Sequence, residues 1–170
     1  MITIQVNDKQ VLDMLGELTK RSINLKPAMK EIGEDLVVST KRRFIDAAGP
    51  DGTPWAANSQ TTIDRYLGMF SGSHKKDGSL SKKGQARSAA KKPLTGETKA
   101  LQTTINYQLD GSNGLRIGSP MIYAAMQQFG GVTSPRSMFP GKTIPARPFL
   151  GLSSADKTNI LDIVGSYLVK

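Results

Sequence analysis

The sequence predicts an α+β fold in which helices pack on a small, mainly antiparallel sheet, with long loops between the elements. Two observations predict it: a long amphipathic helix near each end of the chain, and alternating apolar residues interrupted by a turn in the middle. The 170 residues are enough to bury a hydrophobic core. We therefore expect a single domain over residues 1–170.

The first third of the chain predicts a strand and two helices. Apolar residues alternate with polar ones over residues 2–6, and helical spacing of apolar residues follows at 11–18. A longer helix is expected to begin near Pro27, because the missing N–H of proline costs nothing in a first helical turn. Apolar residues then recur every three or four positions as far as Phe44, which predicts one buried stripe. The basic residues at 41–43 are assigned mostly to the other sides.

The middle of the chain predicts a short helix and a β-hairpin. Ser59 is expected to cap a helix over residues 61–67. Residues 103–109 alternate in polarity, a polar turn cluster occupies 110–114, and apolar residues begin again at 115–117. Alternation on both sides of a turn cluster is typical of a β-hairpin.

The last third predicts a short helix, an extended segment and a closing amphipathic helix. The short helix is expected over residues 119–129, with Gly130 at its end. Residues 143–152 are expected to be extended, because residues before proline avoid the helical region. Ser153 and Asp156 match a capping box, which predicts the start of the closing helix.

The formal net charge of +9 lies mostly in one segment. Residues 71–92 consist largely of Ser, Gly, Lys and Ala, and they contain seven basic residues against Asp77 alone. Such a segment buries too little apolar surface to offset the entropy cost of ordering, so we expect a mobile basic insertion. Its basic residues are expected to face a partner or a lumen: Lys75, Lys76, Lys82, Lys83, Arg87, Lys91 and Lys92.

The sequence contains no recognisable pattern for catalysis, metal binding or cofactor binding. The single histidine, His74, has no neighbour that would orient its ring as a general base. The chain has no cysteine, and its glycine-containing stretches match neither phosphate-binding nor dinucleotide-binding motifs. No stretch approaches the ~20 apolar residues of a membrane-spanning helix. We therefore expect a protein that is not an enzyme and has no cofactor.

Three separated blocks of sequence carry a family resemblance. The first is Gly-Pro-Asp-Gly-Thr-Pro-Trp at 49–55, after a helix that ends in Arg43 and Phe44. The second is Tyr-Ala-Ala-Met-Gln-Gln-Phe-Gly-Gly at 123–131, and the third is Ile-Pro-Ala-Arg-Pro-Phe-Leu at 144–150. In this order they resemble the phage virion morphogenesis family, the tail-completion proteins of Mu-like tailed phages. The basic insertion is where the chain departs from that family.

The resemblance implies a structural virion protein that completes or terminates the phage tail, or joins it to the head, after synthesis in the host cytoplasm. It also implies a homo-oligomeric ring, expected to be a hexamer, that contacts neighbouring tail or neck proteins and DNA passing through its lumen. The charge alone favours a rival hypothesis, a basic nucleic-acid-binding protein. For the basic insertion, an acidic surface on a neighbouring protein is slightly favoured over DNA.

Six residues of the blocks are assigned to interfaces or to structural roles. Trp55 is expected to be a core residue rather than an interface anchor. Tyr123 and Phe129 lie too far apart in helical angle to share one narrow stripe, so at least one should face a partner or a loop. Arg147, near two prolines, is expected either to form a directed ion pair or hydrogen bond or to be a solvated charge. The six are Trp55, Tyr123, Phe129, Gly130, Arg147 and Phe149.

Overall fold

The structure is a computed structural model that describes residues 9–137 and 140–169. The strand predicted at residues 2–6 lies outside the described residues. The helices are α1 (Lys9–Ile23), α2 (Lys26–Asp46), α3 (Gln60–Gly68), α4 (Lys82–Ala90), α5 (Ala100–Thr103), α6 (Ala124–Phe129) and α7 (Ser154–Val169). The strands are β1 (Asn106–Asp110), β2 (Gly114–Gly118), β3 (Gly131–Val132) and β4 (Thr143–Ile144). Helices together with small antiparallel pairs of strands confirm the α+β class.

The described chain divides into two compact units. The first contains residues 9–39, 106–118 and 152–169, and the second contains most of the remainder, from residue 40 to 105 and from 119 to 151. The expectation of a single domain stays a prediction.

The core of the first unit joins α2, α7 and the hairpin. Ala28, Ile32 and Leu36 on α2 are buried together with Ile163 on α7, and the hairpin contributes partly buried side chains from β2. This confirms the stripe predicted on α2. The hairpin is antiparallel, with residue 106 opposite 118 and residue 110 opposite 114. The turn therefore lies where the polar cluster predicted it.

Helix α7 begins with the predicted capping box. The Asp156 N–H donates to Ser153 Oγ at 3.1 Å, and the Ser153 N–H donates to Asp156 Oδ2 at 2.8 Å. These two bonds satisfy amide groups that a helix start otherwise leaves unpaired. Near the other end of α7, the Tyr167 hydroxyl donates to the Asn24 carbonyl at 2.8 Å, between α1 and α2. Both ends of α7 are thus fixed.

The second unit is built from shorter elements. Ser59 caps helix α3, because its Oγ accepts a hydrogen bond from the Thr62 N–H at 3.3 Å, which confirms the predicted cap. Strands β3 and β4 pair Gly131 with Ile144. The short helix predicted at 119–129 begins only at Ala124.

The mobile insertion expected over residues 71–92 contains a helix, α4, that its composition did not predict. Ser81 caps this helix, because its Oγ accepts a hydrogen bond from the Gly84 N–H at 3.0 Å. Lys, Gln, Arg and Ala, which have high helix propensity, make up most of α4. Although the segment buries little apolar surface, Arg87 contacts an aromatic face, with its guanidinium 4.8 Å from the ring centroid of Phe70.

Gly33 allows α2 to approach Tyr107 of the hairpin closely. A Cβ at Gly33 would lie 2.5 to 2.8 Å from three ring atoms of Tyr107. We predict that Gly33→Ala lowers the free energy of unfolding by about 1–2 kcal/mol, since the clash outweighs the gain in helix propensity. Urea unfolding followed by circular dichroism measures this. Gly165→Ala on α7 is the matched control, because its added Cβ would meet no atom within 4 Å beyond its chain neighbours and its own helix backbone. A Gly33→Ala protein as stable as this control would contradict the prediction.

Candidate functional site

The third sequence block runs as an extended segment whose carbonyl groups are bound by side chains. Pro145 and Pro148 have no N–H, so this stretch cannot form a regular strand ladder. The Pro148 carbonyl accepts a hydrogen bond from Trp55 Nε1 at 2.8 Å. The Phe149 carbonyl accepts one from Arg43 Nη1 at 2.7 Å. The first block therefore binds the backbone of the third.

Gln128 of α6 binds the same segment from the second block. Its Oε1 accepts hydrogen bonds from the N–H groups of Phe149 and Leu150, both at 2.9 Å, and its Nε2 donates to the Leu150 carbonyl at 3.1 Å. One amide side chain thus replaces the partner that a neighbouring strand would supply. Sequence reasoning did not single out Gln128, and its only signal was its place in the second block.

Aromatic packing completes this site. Phe149 is fully buried, and its ring centroid lies 5.5 Å from that of Phe44. The Trp55 ring meets Phe44 edge-on at 5.3 Å. Trp55 is buried, as the sequence favoured, and its indole N–H has a backbone partner, as buried tryptophans usually do.

The sequence assignment of Arg43 to an outer side of its helix is wrong. Arg43 is only 6 % exposed. Its burial is compensated by the short hydrogen bond to Phe149, because a charged donor forms stronger bonds than a neutral one. No helical periodicity reveals a partner 106 residues away along the chain.

Arg147 binds the loop that follows Trp55. Its Nε donates to the Ala56 carbonyl and its Nη2 to the Ala57 carbonyl, both at 2.8 Å. Its own N–H donates to the Gln127 carbonyl at 2.8 Å. Burial lowers the pKa of Arg147 below the usual value, although a guanidinium keeps its charge in proteins. The directed hydrogen bonds of Arg147 are therefore made within the chain.

Gly130 marks the closest approach of the second and third blocks. It has a φ of 70°, in the left-handed region that favours glycine. A Cβ here would lie 2.7 Å from the Ala146 nitrogen and 2.8 Å from the Ile144 carbonyl oxygen. Any larger residue would separate the blocks.

The outer side of α6 and the segment before it carry exposed apolar residues. Ile122 is 99 % exposed and Phe129 is 78 % exposed, while Tyr123 is 42 % exposed. Tyr123 also lines a cleft of about 490 Å³ together with Gln127 and Arg147. Gln127 Oε1 is buried without a hydrogen-bond partner in the described part of the chain. Tyr123 and Phe129 are thus both accessible to a partner.

The seven basic residues divide into two groups. Three contact the chain itself: Arg87 lies over Phe70, Lys91 lies 4.4 Å from the ring centroid of Tyr66, and Lys92 donates to the Ile45 carbonyl. The other four are exposed: Lys75, Lys76, Lys82 and Lys83.

Within the described ranges, no group of three or more His, Cys, Asp or Glu residues could hold a metal ion. None of the helices over residues 9–137 and 140–169 combines the length and the apolar character needed to cross a bilayer.

The hydrogen bonds of the site thus hold backbone segments together, while apolar and basic side chains nearby remain exposed. A family model described as the phage virion morphogenesis family matches residues 6–169, nearly the whole chain. The chain belongs to this family of structural virion morphogenesis proteins, which confirms the resemblance, and it is a component of phage virion assembly. No curated protein and no solved structure matches it.

Arg147→Ala removes two hydrogen bonds between the third block and the loop after Trp55. We predict that it lowers the free energy of unfolding by about 1–3 kcal/mol, because two carbonyls lose a charged donor. Arg147→Lys should cost less, since one ammonium can still reach a carbonyl.

Thermal and urea unfolding of both variants measure this, with Arg136→Ala as the control because Arg136 is exposed in the same unit. The control should change stability by less than about 0.5 kcal/mol. Particle yield should be measured on the same variants. A loss of yield much larger than the measured loss of stability explains would indicate that Arg147 also contributes to an interface. An Arg147→Ala protein as stable as the control would contradict the prediction that these two hydrogen bonds stabilise the second unit.

Proposed function

We propose that this protein is a non-enzymatic structural component that completes or terminates the phage tail, or joins it to the head. The observation that carries the proposal is the family match over residues 6–169. A role in virion assembly follows from family membership, and the position at the tail end or neck is the proposed step. Its partners are further copies of itself and the neighbouring tail or neck proteins.

The proposed oligomer is a closed ring of six copies. A cyclic ring repeats one heterologous contact, in which a surface of one copy meets a different surface of the next. We place one side of this contact at the exposed apolar residues Ile122, Tyr123 and Phe129. Aromatic side chains are enriched in protein interfaces, and two exposed aromatic residues with an exposed isoleucine beside one of them supply a suitable anchor.

The bonds of Gln128 support this assignment. Gln128 fixes α6 against the third block through three hydrogen bonds, while its neighbour Phe129 is exposed. A side chain on a backbone that is already ordered loses less entropy on binding than one on a flexible loop. The exposed residues are therefore presented in a defined arrangement.

The double variant Ile122→Ser, Phe129→Ser tests the self-contact. We predict that particle yield falls at least about tenfold, since the two lost apolar contacts together weaken association by more than about 1.4 kcal/mol. Stability should change little, because both side chains are exposed. Complementation of a phage that lacks this gene measures yield, and mass photometry with purified tails measures assembly.

Ile45→Ser, Met69→Ser is the matched control, because these side chains are also apolar and exposed in the second unit. Equal yields from the two double variants would rule out the proposed contact. A reconstruction of the wild-type virion with no density for this chain at the neck or tail end would overturn the proposed position.

A further inference from the structure

Residues 73–90, which we call the basic module, form a hairpin-like turn followed by α4. His74 and Leu80 pair as an antiparallel bridge, and the Ser81 N–H donates to the Ser73 carbonyl at 3.0 Å. Gly84 packs so closely that an added Cβ would lie 2.0 Å from the Ser73 carbonyl oxygen. The hairpin and α4 therefore support each other.

The tip of the hairpin also has a defined backbone. The Lys75 N–H donates to the Ser79 carbonyl at 2.8 Å, and the Gly78 N–H donates to the Lys75 carbonyl at 3.0 Å. Asp77 accepts hydrogen bonds from the hydroxyl and the N–H of Ser79, which lower the pKa of its carboxyl group. The carboxylate of Asp77, the one acid in the module, is thus hydrogen-bonded within the turn.

Arg87 attaches the module to the segment before it. Its Nη1 donates to the Ser71 carbonyl at 3.1 Å and to Ser73 Oγ at 3.0 Å, and its guanidinium lies over Phe70. The side chains of the module's four lysines are exposed and form no hydrogen bond or ion pair within the described residues: Lys75, Lys76, Lys82 and Lys83. Arg87 therefore stabilises the module, whereas the four lysines are exposed to solvent.

We propose that these four lysines are a binding site for the phosphate backbone of duplex DNA. Lys82 and Lys83 stand in the first turn of α4, where the positive end of the helix dipole already disfavours cations. Two more lysines stand at the hairpin tip, only a few residues away in the chain. A polyanion would neutralise all four charges, which repel one another when unpaired.

The side-chain chemistry favours phosphates over an acidic protein surface. Lysine is depleted in protein interfaces, which use arginine and aromatic residues instead. Here the arginine and the aromatics of this region, Arg87, Phe70 and Tyr66, contact one another or neighbouring groups of the chain. Lysine binds phosphate as a point charge, and such contacts carry no sequence information. The binding is therefore independent of DNA sequence.

This inference deepens the proposed assembly role and rests on it for the source of the DNA. The site itself is argued from the basic module. Its experiment uses the purified full chain, so that it is separate from the particle experiments on the proposed function.

The test measures binding to a labelled duplex of arbitrary sequence over a salt series. Four phosphate contacts predict a slope of roughly −3.6 in log affinity against log salt, or about a 150-fold loss between about 50 and 200 mM. Replacement of Lys75, Lys76, Lys82 and Lys83 by Gln should remove most of this slope and weaken binding at low salt more than about tenfold. The wild type should bind two unrelated sequences equally.

The matched control replaces four other exposed lysines by Gln and removes the same charge: Lys26, Lys99, Lys142 and Lys157. It should keep most of the wild-type slope. Equal losses in the two variants would overturn the site, because net charge would then explain the binding. Displacement of the duplex by poly-glutamate as effectively as by unlabelled DNA would overturn the choice of phosphate and indicate an acidic protein partner. Neither outcome affects the proposed tail function, which depends on the position of the chain in the virion.

Discussion

Binding of the Pro148 and Phe149 carbonyls by Trp55 and Arg43 is the interaction on which the second unit depends. An extended segment with two prolines lacks donors and cannot complete a strand ladder, so its buried carbonyls would cost about 1–3 kcal/mol each if unpaired. Side chains from the end of α2 and from the loop after it supply the donors. Gln128 supplies the remaining partners, and this requirement brings the three sequence blocks together.

The elements that could be predicted from the sequence are those defined by local chemistry. Pro27 marks the start of α2, Ser153 and Asp156 mark the start of α7, and polarity alternation defines the hairpin. Each signal acts within a few residues. Arg43 could not be placed in this way, because its burial depends on a carbonyl that is distant in sequence. The helical pattern of α2 describes its apolar stripe but not the point where a charged group finds a buried partner.

The charge of the basic insertion shows the same limit. The sequence contains seven basic residues in this segment. Only the structure distinguishes the three that contact Phe70, Tyr66 or a carbonyl from the four that make no such contact. Net charge therefore overstates the charge available to a partner. The composition of the segment also gave no sign of α4. This helix has little apolar surface and is stabilised instead by a serine cap, a close glycine contact and a cation over an aromatic ring.

Helices α6 and α4 are both short, and each is held in place by one polar side chain. Helices of six and nine residues are too short to be stable alone, so each needs a fixed attachment. In α6 the attachment is Gln128 and the displayed residue is Phe129, whereas in α4 they are Arg87 and the lysines of the first turn. One polar side chain holds the helix while its neighbours remain exposed. The residues that hold each helix in place are therefore different from the exposed residues to which we assign partner contacts.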